Sequence, residues 1–215
     1  MTAMSRLAIK ICGLSTPDTV GAALSGGADH VGFVHFAKSP RHVPVDRIAT
    51  LTASVPGHVT KVAVLVDPDD GLLAMLAPHV DAFQLHGTET PERSAAVRTR
   101  FGRAVWKAIP VKTRADIAAG SAFTGAADRL LYDAKTPKGA DLPGGMGLRF
   151  DWTLLAGFHS SMPWGLSGGL DPANVAEAIR VTGAPLVDVS SGVESAPGIK
   201  DVDKIAAFCD AAFAC

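Results

Sequence analysis

The sequence is poor in cysteine: only Cys12, Cys209 and Cys215 occur among its 215 residues. A small, odd number of cysteines in a chain of this length does not suit a disulfide framework. The sequence also has no CxxC motif and no cluster of cysteine with histidine, so no metal site is expected. We therefore expect free thiols.

An excess of charge of either sign is missing too. The 20 Lys and Arg residues oppose 21 Asp and Glu residues, which leaves a formal net charge of -1. A nucleic-acid partner or an acidic tail would produce a strong charge imbalance, so neither is expected. Small polyanionic ligands are compatible with this composition, since they need only local positive charge.

Long apolar runs are absent although 47% of the residues are hydrophobic. None approaches the ~18 residues of a membrane span. Residues 1–13 also lack the long apolar core of a signal peptide. We therefore expect a cytoplasmic protein without a membrane partner.

The sequence does contain a series of short runs rich in Val, Ile and Leu. Most of them are almost continuously apolar, which is typical of parallel strands covered on both faces. The candidate strands are 7–13, 30–36, 60–66, 82–87, 104–111, 129–135, 163–169 and 185–192.

Ala-rich stretches with helix-start signals follow these runs. The stretch 15–27, for example, begins with a Ser or Thr cap, continues with Pro and Asp, and ends in Gly. The candidate helices are 15–27, 43–54, 67–80, 88–102, 113–126, 151–158, 171–183 and 201–214.

The regular alternation predicts an α/β fold with one domain over 1–215, a parallel eight-stranded (β/α)8 TIM barrel. Such a barrel typically takes ~250 residues, so this one would be trimmed. A doubly wound open sheet shows the same alternation and is the alternative, but eight units in so short a chain favour closure. The Gly- and Pro-rich segment 135–152 is expected to be a mobile loop after the sixth strand.

In a barrel, functional groups lie at the C-terminal ends of the strands, and the loops after strands seven and eight commonly bind phosphate. Glycine lets backbone N–H groups in such loops approach the oxygens closely. "LSGGLDPANV" and "DVSSGVE" occupy these two loops, and two ordinary tight turns are the alternative interpretation. The predicted phosphate-binding residues are Gly168, Gly169, Ser190, Ser191 and Gly192.

Four other side chains at strand ends each allow two interpretations. Asp133 is either a general acid, because burial favours the protonated carboxyl, or a structural residue that caps a turn or pairs with Lys135. Arg41 presents a fork suited to carboxylate or phosphate, or it is a solvated surface residue. His86 is either a base or a hydrogen-bonded histidine. Cys12 is either a reactive thiol or an inert core residue.

Seven segments, taken in order, resemble the phosphoribosylanthranilate isomerase family of the tryptophan pathway: "KICGLST", "GFVHFAKSPRHV", "FQLHG", "LLYDAKTP", "GGMGLRFDW", "LSGGLDPANVAEAI" and "VDVSSGVESAPGIKD". The resemblance covers nearly the whole chain. It implies a (β/α)8 barrel that needs no cofactor or metal. The implied reaction is an Amadori rearrangement, an aldose–ketose isomerisation of N-(5-phosphoribosyl)anthranilate to 1-(2-carboxyphenylamino)-1-deoxyribulose 5-phosphate.

The resemblance also implies roles for individual residues. The family's catalytic cysteine falls on Cys12 as general base, its general acid on Asp133, and its carboxylate-binding arginine on Arg41. Gly13 and His86 would lie near the substrate. Because the base has to be a thiolate, we expect nearby donors or a helix N-terminus to lower the pKa of Cys12.

The chain departs from the family at His35, where an aromatic residue is common, and at Met146, where Thr or Ser is usual. One alternative function is the histidine-pathway isomerase, which performs the same rearrangement on a two-phosphate substrate; the cysteine in "KICG" argues against it. The other is a non-catalytic sugar-phosphate-binding barrel, which the joint presence of Cys12, Asp133 and Arg41 disfavours. The sequence is compatible with a monomer or a homodimer.

Overall fold

The computed structural model describes residues 6–137 and 144–215. Part of the loop predicted to be mobile over 135–152, namely residues 138–143, lies outside the described residues. Within the two described ranges, no helix is both long enough and apolar enough to span a membrane.

Eight parallel strands form a closed barrel in the order of the sequence, so the prediction of closure is confirmed and the open-sheet alternative is wrong. The barrel closes where residues 8–11 of the first strand pair with residues 186–189 of the last. The strands are β1 (Ala8–Cys12), β2 (His30–His35), β3 (Thr60–Leu65), β4 (Ala82–Leu85), β5 (Ala104–Val111), β6 (Arg129–Ala134), β7 (Trp164–Leu166) and β8 (Leu186–Val189).

Helices cover the outside of the barrel. The start signal predicted for the first helix is confirmed: the Thr16 side chain accepts a hydrogen bond from the Thr19 backbone N–H, and Pro17 is the first helical residue. The helices are α1 (Pro17–Ser25), α2 (Val45–Thr52), α3 (Asp70–Leu76), α4 (Pro91–Phe101), α5 (Arg114–Ala119), α6 (Val175–Thr182) and α7 (Val202–Phe213).

The prediction of a helix after every strand is wrong at one position. Beyond β6, the stretch 151–158 contains only the 3-10 helix Trp152–Leu155. Asp151 caps it, but Ala156 is already extended and Gly157 has a φ of 68°, so the backbone leaves the helical conformation after a single turn. A short antiparallel hairpin of β9 (Glu194–Ala196) and β10 (Ile199–Lys200), not predicted from the sequence, follows β8.

The strands bury both faces, as their apolar runs predict. One face of each strand packs against the helices; Ile9 and Ile11 of β1 belong to this large cluster and are fully buried. The alternate residues point into the barrel, because successive side chains of a strand lie on opposite faces. A smaller cluster fills the interior: Val62, Ala82, Trp106, Leu131 and Leu186. The same alternation turns Lys10 and Cys12 inward, towards the C-terminal mouth.

Candidate active site

An open cavity lies at the mouth formed by the C-terminal ends of the strands. The predicted site residues that line it are Cys12, Arg41, His86, Asp133, Gly168, Gly169, Ser190 and Ser191. Gly13 and Gly192 lie just behind this lining: a Cβ at position 13 would stand 3.1 Å from Ser190 Oγ, and one at position 192 would overlap the Leu170 carbonyl oxygen. All the predicted site residues thus meet at one mouth.

Cys12 is a buried free thiol at the end of β1. Lys10 precedes it on the same face and is fully buried, with its Nζ 2.9 Å from Asp188 Oδ1 on β8. Burial alone would lower the pKa of Lys10, but the charges of Asp188 and Cys12 and their hydrogen bonds raise it. Lys10 is therefore a cation held beside the thiol.

The expectation that the surroundings lower the pKa of Cys12 is wrong. Burial raises the pKa of this thiol; the Lys10 cation opposes the shift, and the Asp188 carboxylate adds to it. The physical reason is that a thiolate at this buried position loses its hydration, which disfavours the charged form. The Lys10 ammonium interacts with Asp188 as well as with Cys12, so it offsets only part of this effect.

Arg41 lies in the loop after β2 and is only 6% exposed, so the interpretation as a solvated surface residue is wrong. Its guanidinium forms a two-pronged ion pair with Glu194 in β9, with Nε 2.6 Å from Oε1 and Nη2 2.7 Å from Oε2. Among the described residues Nη1 has no acceptor, and it faces the loop after β6, where a Cβ at Gly145 would lie 2.7 Å away.

Lys200 in β10 completes this charged cluster. Its Nζ lies 2.5 Å from Glu194 Oε1 and 2.9 Å from the Ser190 carbonyl oxygen, which joins the arginine to a predicted phosphate loop. Burial by itself would raise the pKa of Glu194, but the hydrogen bonds and charges of Arg41 and Lys200 hold it below its ordinary value. The Glu194 carboxylate thus forms ion pairs with both Arg41 and Lys200.

Asp133 ends β6 on the other side of the mouth and is 6% exposed. Its Oδ1 accepts a hydrogen bond of 2.8 Å from the Ala134 backbone N–H, and its Oδ2 lies 3.2 Å from His86 Nε2. Lys135 binds Asp116 instead, at 3.2 Å, so the predicted alternative of a Lys135–Asp133 pair is wrong.

His86 follows β4, and the structure confirms the second of the two interpretations drawn from the sequence. Its Nδ1 lies 3.1 Å from the Gln84 side-chain amide nitrogen, so it is a hydrogen-bonded histidine at a strand end. It also lines the cavity and contacts Asp133. The side chains of Gln84, His86 and Asp133 form a continuous row.

The two predicted phosphate loops lie side by side. Among the described residues, the backbone N–H groups of Gly168 and Gly169 have no acceptor. The 3-10 helix Ser191–Val193 begins in the second loop, and the first N–H groups of a helix have no acceptor within it. Asn174 donates to the Gly169 carbonyl oxygen at 3.0 Å, which fixes the first loop. Free N–H groups in two adjoining loops are what an anion requires.

An apolar wall connects the two ends of the cavity. Its side chains come from strand ends and from the loop after β6: Val34, Phe36, Val64, Val66, Met146 and Leu148. Met146 is 47% exposed at this wall, where an aromatic group could lie. Across residues 6–137 and 144–215, no three His, Cys, Asp or Glu side chains are grouped as a metal ion would require.

Five buried polar residues of the site were missed by the sequence reasoning. Lys10, Gln84 and Asp188 each interrupt an apolar strand at an inward position, and this interruption was a usable signal. Glu194 and Lys200 gave no such signal, because the hairpin that brings them to Arg41 follows no apolar pattern.

Comparison with known proteins identifies relatives over nearly the full chain. A sequence model of one family, described as N-(5'phosphoribosyl)anthranilate (PRA) isomerase, matches residues 9–211. The chain is 54% identical over 206 residues to an N-(5'-phosphoribosyl)anthranilate isomerase from Paramagnetospirillum magneticum, which covers 95% of this chain and 96% of the relative.

Solved structures show the same likeness. Phosphoribosyl anthranilate isomerase from Thermotoga maritima superposes with a TM-score of 0.87 at 33% identity, over 97% of this chain and all of that one (100%). A second phosphoribosyl anthranilate isomerase, in complex with reduced 1-(o-carboxyphenylamino)-1-deoxyribulose 5-phosphate, gives a TM-score of 0.84 at 31% identity, with coverage of 97% and 100%.

Proposed function

The chain belongs to the N-(5'-phosphoribosyl)anthranilate isomerase family and is an isomerase of tryptophan biosynthesis, and we propose that Cys12 and Asp133 carry out its proton transfers. The substrate is N-(5-phosphoribosyl)anthranilate and the product is 1-(2-carboxyphenylamino)-1-deoxyribulose 5-phosphate. In this rearrangement C2 of the sugar is oxidised to a ketone while C1 is reduced, entirely by proton shifts.

The observation that carries this proposal is the position of the two groups. Cys12 and Asp133 line one cavity, between an arginine and two loops with free backbone N–H groups. Phosphate bound by the loops and a carboxylate bound by Arg41 Nη1 would stretch the substrate across the cavity, which puts the sugar between thiol and carboxyl. The apolar wall with Phe36 and Met146 would cover the aromatic ring.

Ring opening requires an acid. Asp133 gives the proton on Oδ2 to the furanose oxygen, the bond between that oxygen and C1 breaks, and the nitrogen lone pair forms the C1=N bond of a Schiff base. Oδ2 is the oxygen suited to this step, because the Ala134 N–H already occupies Oδ1.

Isomerisation then requires a base. The Cys12 thiolate removes the proton from C2 and gives an enolamine, which tautomerises to the ketone. The raised pKa of Cys12 makes the thiolate rarer but a stronger base, and the neighbouring Lys10 ammonium stabilises it when it forms.

Two variants and one assay test the proposal: conversion of freshly made phosphoribosylanthranilate, followed by the loss of its fluorescence. General acid–base groups contribute roughly 10²–10⁴-fold, so Cys12→Ser and Asp133→Asn should each lose kcat within that range while product-analogue affinity survives. Cys209→Ser, a cysteine in α7 outside the cavity, is the matched control and should keep the wild-type rate. A Cys12→Ser or Asp133→Asn variant with more than about a tenth of the wild-type kcat would contradict the assigned role.

A cytoplasmic location is part of the same proposal. The substrate carries a phosphate and a carboxylate, and charged groups of this kind do not enter an apolar phase. This supports the location expected from the sequence.

A further inference from the structure

The row of side chains from Gln84 to Asp133 raises a question of proton placement. Asp133 Oδ2 is the oxygen assigned to proton donation, and it faces His86 Nε2 at 3.2 Å. The second ring nitrogen, Nδ1, lies 3.1 Å from the Gln84 amide nitrogen. A neutral imidazole has one N–H and one acceptor nitrogen, so the hydrogen bond at Nδ1 dictates which kind of hydrogen bond Nε2 can make.

With the Gln84 amide oriented as it stands, its N–H donates to Nδ1. The proton of His86 is then on Nε2, and this N–H donates to Oδ2, so Oδ2 is a hydrogen-bond acceptor and does not hold the proton that the proposed acid step requires. If the amide turns over, its oxygen accepts from Nδ1–H, Nε2 becomes an acceptor, and Asp133 keeps a proton on Oδ2. The two amide orientations differ only in the exchange of O and N.

One end of the Gln84 amide has no hydrogen-bond partner among the described residues, whichever way the amide is turned. Gln84 is 1% exposed, and its Oε1 has no hydrogen-bond partner among the described residues. A buried polar atom without a partner destabilises the fold. In the turned orientation this oxygen gains the Nδ1–H of His86, and the amide nitrogen takes the position without a partner, so the hydrogen bonding of the amide leaves both orientations open to His86.

The surroundings hold the His86 end of this row in place. The His86 backbone N–H donates to the Leu65 carbonyl oxygen at 2.8 Å. The next residue, Gly87, donates to Glu89, whose carboxylate is held by Lys107 at 2.8 Å. Gly144 covers the pair from the loop after β6, because a Cβ there would lie 2.7 Å from His86 Nε2 and 2.9 Å from Asp133 Oδ2.

From this geometry we infer that His86 and Gln84 are positioning residues that decide whether Asp133 holds a proton on Oδ2. The inference rests on the role of Asp133 in the proposed function. The other titratable groups that face the pair are Cys12 of β1, Arg41 of the loop after β2 and Asp188 of β8, all of which line the same cavity. Lys107 of β5 and Glu89 lie beneath the His86 loop as a closed ion pair.

The experiment uses substitutions at both positions. The carboxylate of Gln84→Glu accepts from Nδ1–H, so a neutral His86 then has its acceptor nitrogen at Nε2 and Asp133 keeps its proton; an imidazolium is recognised by a second N–H in the 15N spectrum of the ring. In Gln84→Met the side chain offers His86 Nδ1 neither an N–H donor nor an oxygen acceptor. We expect Gln84→Glu to retain more kcat than Gln84→Met and to stay active to higher pH than wild type. His86→Asn should lower kcat about 10- to 100-fold with KM changed less than about twofold, because the acid is misplaced rather than removed.

His35→Asn is the matched control. His35 is the last residue of β2, but among the described residues it is not part of the cavity lining, and it bonds to the Val43 carbonyl oxygen rather than to Asp133. It should keep the wild-type kcat and pH profile. A His86→Asn variant with the same kcat and pH profile as His35→Asn would overturn the inference.

A second measurement does not depend on turnover. The 15N spectrum of the His86 ring should show Nδ1–H in Gln84→Glu and a shift towards Nε2–H in Gln84→Met, and the ring should respond to Asp133→Asn. A ring spectrum that is the same in all these variants would overturn the inference even if Asp133 is the acid. Conversely, an active Asp133→Asn variant combined with a responsive ring would contradict the proposed acid role and leave the hydrogen-bonded row established. Variants that fail to fold are recognised by their melting curves, and the remaining ones decide the question.

Discussion

The two sides of the mouth are built from different kinds of interaction. On the Cys12 side, two sets of buried charges meet: Lys10 with Asp188 at 2.9 Å, and Glu194 with both Arg41 and Lys200. On the Asp133 side, no Lys or Arg within the described part of the chain pairs with the carboxyl. Its partners are a backbone N–H and the His86 ring.

This difference corresponds to the roles proposed for the two sides. A thiolate base is an anion and is stabilised by cations. A general acid must keep its proton, and a nearby cation would lower the pKa of the carboxyl. Placing the charges on one side and a chain of neutral hydrogen bonds on the other lets one mouth hold both groups in opposite states.

The largest effect is expected from breaking the charged side at its most buried pair. Asp188→Ala leaves the Lys10 ammonium buried without its partner, which should lower the free energy of unfolding by about 3–5 kcal/mol. Denaturant unfolding measures this loss. The double change Lys10→Met with Asp188→Leu should recover much of it, because neither charge is then left alone.

An exposed ion pair provides the control. Arg98 and Asp128 are 3.2 Å apart and both side chains are 40% exposed. Arg98→Ala should cost less than about 1 kcal/mol. Equal losses in Asp188→Ala and Arg98→Ala would show that the Lys10–Asp188 pair is not the buried charge cluster described here.

The next effect concerns substrate binding on the charged side. Arg41→Ala should reduce kcat/KM by an amount equivalent to about 2–4 kcal/mol, since a desolvated carboxylate loses its partner. A substrate without the carboxylate should reproduce this loss in the wild type and add little in Arg41→Ala. Additive losses would mean that Arg41 contacts another part of the substrate. Arg41→Lys is an informative companion, because it keeps the charge but loses the two-pronged contact with Glu194.

The smallest effect is a difference among the three cysteines in how their alkylation rates depend on pH. Because burial raises the pKa of Cys12, its alkylation should reach half its maximal rate above pH ~8.5, the ordinary value for a thiol. Lys10→Met should move this midpoint further up. Exposed Cys215 should react first. Cys209, whose pKa burial raises to about 11, should react last, and a product analogue should protect Cys12 alone. A midpoint for Cys12 below the ordinary value would contradict the account of its burial.

The same shift has a consequence for stability. A thiol whose pKa is raised by folding contributes fully to stability at pH values below its pKa in the unfolded chain, ~8.5. This contribution is lost as the pH rises through the pKa of the thiol in the folded protein. In Cys12→Ser and in Cys209→Ser, the free energy of unfolding should therefore decrease less steeply with pH above ~8.5 than in the wild type, as measured by denaturant unfolding.

The sequence by itself determined the strands, their order and the residues at their ends. Apolar runs that end in Cys12, Asp133 and Ser190 were enough to predict a common mouth, because parallel strands in a closed barrel bring their C-terminal ends together. The 3-10 helix after β6 was the exception, since local start signals do not tell whether enough residues follow to complete an α-helix.

Only the tertiary structure determined which charged residues form ion pairs at that mouth. Lys10 meets Asp188 across a separation of 178 residues, and Arg41 meets Glu194 across 153. The direction of the pKa shift of Cys12 was predicted wrongly for the same reason. It depends on the burial of the thiol and on the sharing of Lys10 with Asp188, and both arise only when β1 and β8 close the barrel. Short-range patterns specify which face of a strand is apolar, whereas charge balance in a site depends on contacts between residues far apart in the chain.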